Sequence, residues 1–420
     1  MERRVVVTGI GVISPLGDSS VALHTALCEG RSGLQPITLF DTDGLVCKQA
    51  HALAAFTPQT YLGKNPRALD RTSQLVTAVA TLALDHSNWS LEMRRQHEVG
   101  LVLGTMFCSV HTIAEFDRRG LTLGPNYVSP MDFANTVINA AAGQAAIWHD
   151  LRGVNSTIAG GITSGLQALA YATELIRSGQ ATALLAGGAE ELCFESFCGF
   201  DRAGLLCGAR HDGTEEFPIP FDARRNGFTL GEGAALLMLE DADLATARGA
   251  HVIAEITGHG GAYDLARGTV SQQAVDAIAR AMRLALQDAE MDPSDIACLS
   301  ASANGSVLAD RHEAQAIAAV FKEGAHDLPV TAVKSMLGET LGASGALQTV
   351  ALLAAMHDDM LPGIRHLEQV EEDFPLHRAG PCNQRVHLRN GLINSVGLDG
   401  NCCALVMTHF APSPSGRGLG

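Results

Sequence analysis

The chain has 420 residues, 46% apolar and 18% charged, with 44 glycines. That composition suits a large α/β core and excludes a disordered or fibrous chain. A net charge of −16 argues against nucleic acid or an anionic membrane as the main partner and reads as solubility. The ten cysteines are scattered. Cys193 and Cys198 lack a second pair to complete a zinc site, so no metal or other cofactor is expected, and the thiols suit a reducing, cytoplasmic setting.

The opening MERRVVVTGIGVISPLG mimics a secretory leader, with Arg3 and Arg4 ahead of an apolar run. That run holds Gly9 and Gly11, stops at Pro15 and lacks a small-x-small cleavage site, so a first strand is predicted at Val5–Thr8. No apolar run nears the ~20 residues of a spanning helix. Further strands are predicted at Val99–Leu103, Val154–Ile158, Thr182–Ala186 and Ala234–Leu239, with a helix at Thr163–Ser178 whose Leu166, Leu169, Ala170 and Ile176 recur at helical spacing ahead of Gly179. The plan then repeats. Strands are predicted at His251–Thr257, Ile296–Ser300, Val330–Val333, Leu392–Val396 and Cys403–Met407, and helices at Gln272–Ala289, Asp310–Val320 and Leu341–His357. Two halves follow, 1–245 and 250–410, joined near Asp241–Gly249 and trailed by a Pro/Ser/Gly-rich tail at 411–420 expected to be disordered. The segments TIAGGITSGLQAL and VKSMLGETLGASGAL occupy matching places, as in an internally duplicated α/β fold with a site between its halves.

Several local motifs fail. In TGIGVISPLG the third fingerprint glycine is Ser14, and no acidic residue follows about twenty positions on, so a strand turn is favoured over a dinucleotide loop. GITSG is not a nucleophile elbow of the GxSxG kind, because Ser164 falls one place late. Gly338, Gly342 and Gly345 suit close helix packing. Neither a phosphate-loop GxxxxGK[ST] nor an HExxH pair of metal ligands is present. What stands out is the turn at Thr157–Leu169: an apolar strand, two glycines and a helix start, the arrangement that presents a nucleophile where a helix dipole favours negative charge, with Ile162 at its tip.

From RVVVTGIGVISPLG to NSVGLDGNCCALV, about residues 3 to 409, the chain resembles the type II β-ketoacyl-acyl-carrier-protein synthases of the thiolase fold. The blocks NTVINAAAGQAAIWHDLRG, LLAGGAEE, PFDARRNGFTLGEGAALLMLED, DRHEAQAI and VKSMLGETLGASGAL carry the resemblance in order. It implies a duplicated five-layered αβαβα fold with two mixed sheets. It also implies a Cys–His–His site, in which a thiolate takes the acyl chain and two imidazoles drive decarboxylative condensation. Carried over position by position, that site is degenerate. The cysteine is Ile162, the first histidine Ser302 and the second Glu339, while Lys334, Asp310 and Glu313 remain. The AHGTST block reads ASANGS, with Asn304 and Ser306 for its threonines, and the gating loop GFGG reads GLDG, with Leu398 and Asp399. At each position a structural role is open: Ile162 packing, Ser302 capping, Glu339 pairing with Lys334.

The combined loss resembles the chain-length factor, a non-catalytic ketosynthase-like subunit that forms a heterodimer with an active ketosynthase and closes its acyl tunnel. The glutamine common at the elbow of such subunits is absent here. Phe107, Val110, His111, Phe133 and Phe200 are the tunnel-shaping candidates, each equally readable as core, and Lys64, Arg67 and Arg71 are candidates for docking an acidic acyl carrier protein, although a solvated helix face is the favoured reading of these three. Two alternatives stay open: a divergent synthase or thioester enzyme using Thr163, Ser164 or Cys402, and a homodimeric scaffold.

Overall fold

All ten predicted strands form, and they join in one hydrogen-bonded array. The computed structural model of the chain describes residues 3–63, 66–208, 217–266 and 271–411. In chain order the strands are β1 (Val5–Ile13), β2 (Gly100–Gly104), β3 (Asn155–Ile158), β4 (Ala183–Glu190), β5 (Gly233–Asp241), β6 (Ala254–Tyr263), β7 (Cys298–Ser300), β8 (Val330–Thr331), β9 (Asn390–Val396) and β10 (Asn401–Thr408). Their spatial order is β8-β7-β9-β10-β6-β1-β5-β4-β2-β3. The duplication is therefore complete at the level of topology. Each half is a mixed five-stranded sheet, ordered 1-5-4-2-3 in the first half and 6-10-9-7-8 in the second. In each, two parallel pairings sit beside two antiparallel ones. The two sheets meet edge to edge where Val5–Val7 pairs antiparallel with Ala254–Ile256.

Side-chain alternation builds the layers. On β5, Ala235, Leu237 and Leu239 face a central core that also holds Leu166, Leu169, Leu347 and Val350 from two helices, α1 (Ser164–Arg177) and α2 (Ser344–Asp358). The intervening Ala234, Leu236 and Met238 face the other way, against Leu75, Val76 and Val79 of helix 71–86 and Ala141 and Ala145 of helix 140–149. On the second sheet, Leu299, Leu392 and Val406 pack outward onto Ile278, Met282 and Ile317 of helices 272–288 and 307–321. Helix, sheet, helix, sheet, helix is the five-layered arrangement of the thiolase fold. Strands covered on both faces lose the apolar/polar alternation in their sequence, which is why β1, β4 and β5 are buried throughout.

Glycines permit the closest contacts. A Cβ on Gly11 would stand 1.9 Å from the Val79 carbonyl oxygen, and one on Gly9 2.6 Å from that of Ala83. The glycines of the failed dinucleotide motif thus seat helix 71–86 on β1. The start of α2 meets the start of α1 in the same way: a Cβ on Gly165 would lie 2.6 Å from Gly342 O, and one on Gly345 2.7 Å from Leu166 N. This crossing brings the two glycine-rich turns, and hence the site, together. Helix 307–321 begins one turn earlier than its apolar pattern suggests because Ser306 caps it, accepting from Ala309 N. Most of the tail expected at 411–420 lies outside the described residues, which end at Ala411.

Candidate functional site

β3 ends at Ile158, a single 3₁₀ turn occupies Gly161–Thr163 with Gly161 at φ +67°, and α1 starts at Ser164. The two hydroxyls of the turn are consumed by the turn itself. Thr163 Oγ1 donates to Gly160 O at 2.8 Å, and Ser164 Oγ donates to Gly161 O at 2.7 Å while accepting from Gly160 N at 2.9 Å. Ile162 is 1% exposed and packs with Leu192, Phe197, Phe200, Phe228 and Leu341, with Phe107 and Leu398 half-buried against them. An edge-to-face run of Phe107, Phe200 and Phe228, centroids 6.3 and 5.7 Å apart, fills the space behind the elbow.

Across from Ile162, Ser302 and Glu339 are tied together through Lys334. Lys334 Nζ lies 2.9 Å from Glu339 Oε2 and 3.3 Å from Ser302 Oγ. Glu339 Oε2 also accepts from Asn304 Nδ2 at 2.8 Å, and Oε1 accepts from Ser344 Oγ at 2.5 Å and Leu341 N at 3.1 Å. Glu339 is fully buried and Lys334 is 2% exposed. The carboxylate is thus neutralised by its cation, with both oxygens hydrogen-bonded. Ser302 is no cap; its hydroxyl accepts from Val396 N at 2.9 Å and links the pair to the end of β9.

An outer ring of buried acids holds this arrangement. Glu313 accepts from Ser302 N at 2.8 Å and Asn394 Nδ2 at 2.6 Å, and burial pushes it up to about 7. Asp310 accepts from the backbone N–H groups of Phe221, Asn304 and Gly305, and burial raises it to about 6. Glu190 accepts from Met106, Phe107, Cys108 and Gly342 N–H groups, which fixes the Phe107 turn; burial raises it to about 7. The Cys402 thiol is 2% exposed and pushed up to about 12 by burial, so it is no ready nucleophile. Beyond β9 a cavity of about 280 Å³ is lined by Ser306, His312, Gly397, Leu398 and Cys402. Among the described residues no group of three His, Cys, Asp or Glu is set to hold a metal ion.

The predicted site residues separate. Ile162, Ser302, Lys334, Glu339, Leu398 and Asp399 gather at the elbow, with Phe107 and Phe200 behind it. Val110 is half-buried on the first turn of helix 110–123. His111 and Phe133 do not join them: His111 is exposed beside Glu195 at 3.1 Å, and Phe133 is 62% exposed, resting on Phe116. Arg71 is engaged within the chain. Its guanidinium reaches the fully buried Glu232, with Nη2 2.8 Å from Oε2, and it donates to Leu53 O at 2.9 Å. The buried carboxylate takes that cation, whose side chain remains 29% exposed. Arg67 is exposed, and Lys64 lies outside the described residues. Asn304 and Ser344 were not foreseen as ligands of Glu339. Ser344 could have been found from the repeat, since it holds in the second turn the place of Ser164 in the first.

A duplicated five-layered sandwich with two helix starts meeting at a glycine-rich elbow defines a thiolase-type condensing scaffold. The beta-ketoacyl synthase N-terminal domain family matches residues 2–245 and its C-terminal domain family matches residues 253–368; the chain belongs to the β-ketoacyl synthase family. The 3-oxoacyl-(acyl-carrier-protein) synthase 2 of Coxiella burnetii is 32% identical over 408 residues, which cover 97% of this chain and 99% of that protein. Its counterpart in Vibrio harveyi is 30% identical, covering 98% and 99%. Among solved structures, the ishigamide ketosynthase/chain length factor superposes with TM-score 0.91 at 31% identity, covering 98% of this chain and all of that one. AntDE:AntF, a type II PKS acyl-carrier protein in complex with its ketosynthase, superposes with TM-score 0.87 at 26% identity, covering 98% and 100%. No helix among the described residues is long and apolar enough to cross a membrane.

Proposed function

We propose that this chain is a non-catalytic subunit of a chain-elongating ketosynthase, a chain-length factor, which pairs with an active β-ketoacyl synthase and shapes its acyl tunnel. One observation carries the reading. The three positions that would perform condensation hold a buried isoleucine, a serine serving the backbone, and a glutamate saturated by Lys334, Asn304, Ser344 and Leu341. Isoleucine forms no thioester, and a carboxylate already held by its own cation and donors offers no imidazole-type donor to the oxygen of a malonyl group or its enolate. Loss of one stabilising donor alone raises such a barrier by roughly 3 kcal/mol.

Two surface features support a partner. Helix 110–123 has no fully buried residue in this chain. Near it, Leu121, Tyr127, Met131, Phe133, Val137 and Ile138 are exposed, a concentration of apolar surface unusual for a free monomer. β3, at the end of the array, pairs on one side only among the described residues and is partly exposed, so its other edge is available to another chain. A partner covering this face would bring its tunnel toward Phe107, on the turn just before helix 110–123, whose ring continues inward through Phe200. Carrier-protein contact would then fall chiefly on the active subunit, with Arg67 at the margin.

Co-expression with a ketosynthase encoded beside it, followed by size-exclusion chromatography, should give a stable one-to-one complex. Intact-mass measurement after incubation with acyl- and malonyl-carrier protein should show neither an adduct on this chain nor carbon dioxide release. A covalent acyl adduct or turnover by this polypeptide alone would refute the proposal in favour of a divergent enzyme. A stable homodimer that ignores every ketosynthase would refute it in favour of a scaffold.

A further inference from the structure

The Gly397–Gly400 loop is held against the elbow at two of its residues. Leu398 packs into the apolar cluster around Ile162, and the Asp399 carboxylate is sandwiched between two glycines. A Cβ on Gly397 would stand 2.2 Å from Asp399 Oδ1, and a Cβ on Gly161 would stand 2.8 Å from Oδ2. No other residue type fits either position without moving the carboxylate. Asn401 fixes the carboxylate's rotation: its Nδ2 donates to Oδ2 at 2.6 Å and its backbone N–H to Oδ1 at 3.3 Å. The side chain therefore rests on the turn that starts α1, where the first backbone N–H groups lack intrahelical acceptors and the helix dipole favours an anion. Asn401 is neutral, whereas Glu339 is matched by Lys334.

From this geometry we infer that Asp399 is the resident anion of the elbow: it fills the place an incoming carboxylate or oxyanion would need, repels anionic ligands and latches the gate. The inference rests on reading the elbow as an emptied acyl site and adds what keeps it closed to carboxylated extenders. Asp399 acts through charge and position and takes no part in chemistry.

The test uses the full chain with Ile162→Cys, alone and combined with Asp399→Asn or Asp399→Gly. Iodoacetamide, which is neutral, and iodoacetate, which is anionic, each alkylate a thiolate with loss of iodide. Labelling at position 162 is followed by peptide mass, with exposed Cys382 as internal reference. The iodoacetate-to-iodoacetamide rate ratio at position 162 should be at least about tenfold below that at Cys382, and Asp399→Asn should raise it at least about fivefold. A ratio matching Cys382, or one indifferent to Asp399→Asn, overturns the inference. If position 162 resists both reagents in the single variant, Asp399→Gly must open it to iodoacetamide; continued resistance in a variant with native circular dichroism overturns the latch. A chain that fails to pair with any ketosynthase sinks the proposed function but leaves these ratios unchanged, so the two failures are distinguishable.

Discussion

Replacing Lys334 by methionine isolates the energetic core of the site. Methionine keeps most of the volume but leaves Glu339 fully buried beside three donors and no cation. At the observed 2.9 Å the gross attraction is about 6 kcal/mol for an effective dielectric near 20. Part of that was spent desolvating the ammonium, which the variant no longer does. The net loss expected when one member of a buried pair is removed is about 3–5 kcal/mol. For halves of this size the midpoint of thermal unfolding should fall on the order of 10 °C. Lys334→Met with Glu339→Gln removes both charges and should recover most of the loss, because the neutral amide can still accept from Leu341 and Ser344. Differential scanning calorimetry at pH 7.5 on the three proteins decides it. A single variant melting within 2 °C of the parent (about 0.5–1 kcal/mol), or a double variant less stable than the single, would refute the neutralised-pair description.

Other outcomes follow from the same geometry. Glu313, Asp310 and Glu190 have folded-state pKa values raised by burial to about 7, 6 and 7. The folded state therefore holds protons that the unfolded chain has released, so stability is greatest below pH ~4.5 as far as these groups are concerned and declines toward pH 7, by up to about 1.4 kcal/mol per pH unit per proton. Urea midpoints should be lower at pH 7.5 than at pH 5.5, and Glu313→Gln should shrink that difference; an unchanged difference counts against the assignment. Arg71→Ala should destabilise the chain by about 3–5 kcal/mol by stranding buried Glu232, while Arg67→Ala leaves stability unchanged and lowers carrier-protein affinity of the assembled complex, as calorimetry and titration can read. In the same complex Phe107→Ala should shift products to longer chains by mass spectrometry, and unchanged lengths with intact assembly would remove Phe107 from the tunnel wall.

Much of the fold was legible because β-strands buried on both faces are short apolar runs; each run was found, although β1 continues to Ile13 and β6 to Tyr263, five and six residues past the predicted ends. Helix 71–86 was not, because its contact with β1 depends on Gly9 and Gly11, whose meaning appears only when Val79 and Ala83 lie across them. Helix 110–123 was missed for the opposite reason: none of its residues is fully buried within the chain.

At the site, the order of residues alone determined that positions 162, 302 and 339 carry neither a thiol nor an imidazole. Only the tertiary structure decided what surrounds them. The partners of Glu339 come from positions 304, 334, 341 and 344, and the carboxylate over the elbow from position 399. Arg71 and Phe133 show the same division, one drawn inward by a buried carboxylate far along the chain and the other left at the surface. Composition and spacing fix which atoms a chain owns, whereas charge pairing and desolvation act over ångströms between segments far apart in sequence, and those distances exist only in the folded molecule.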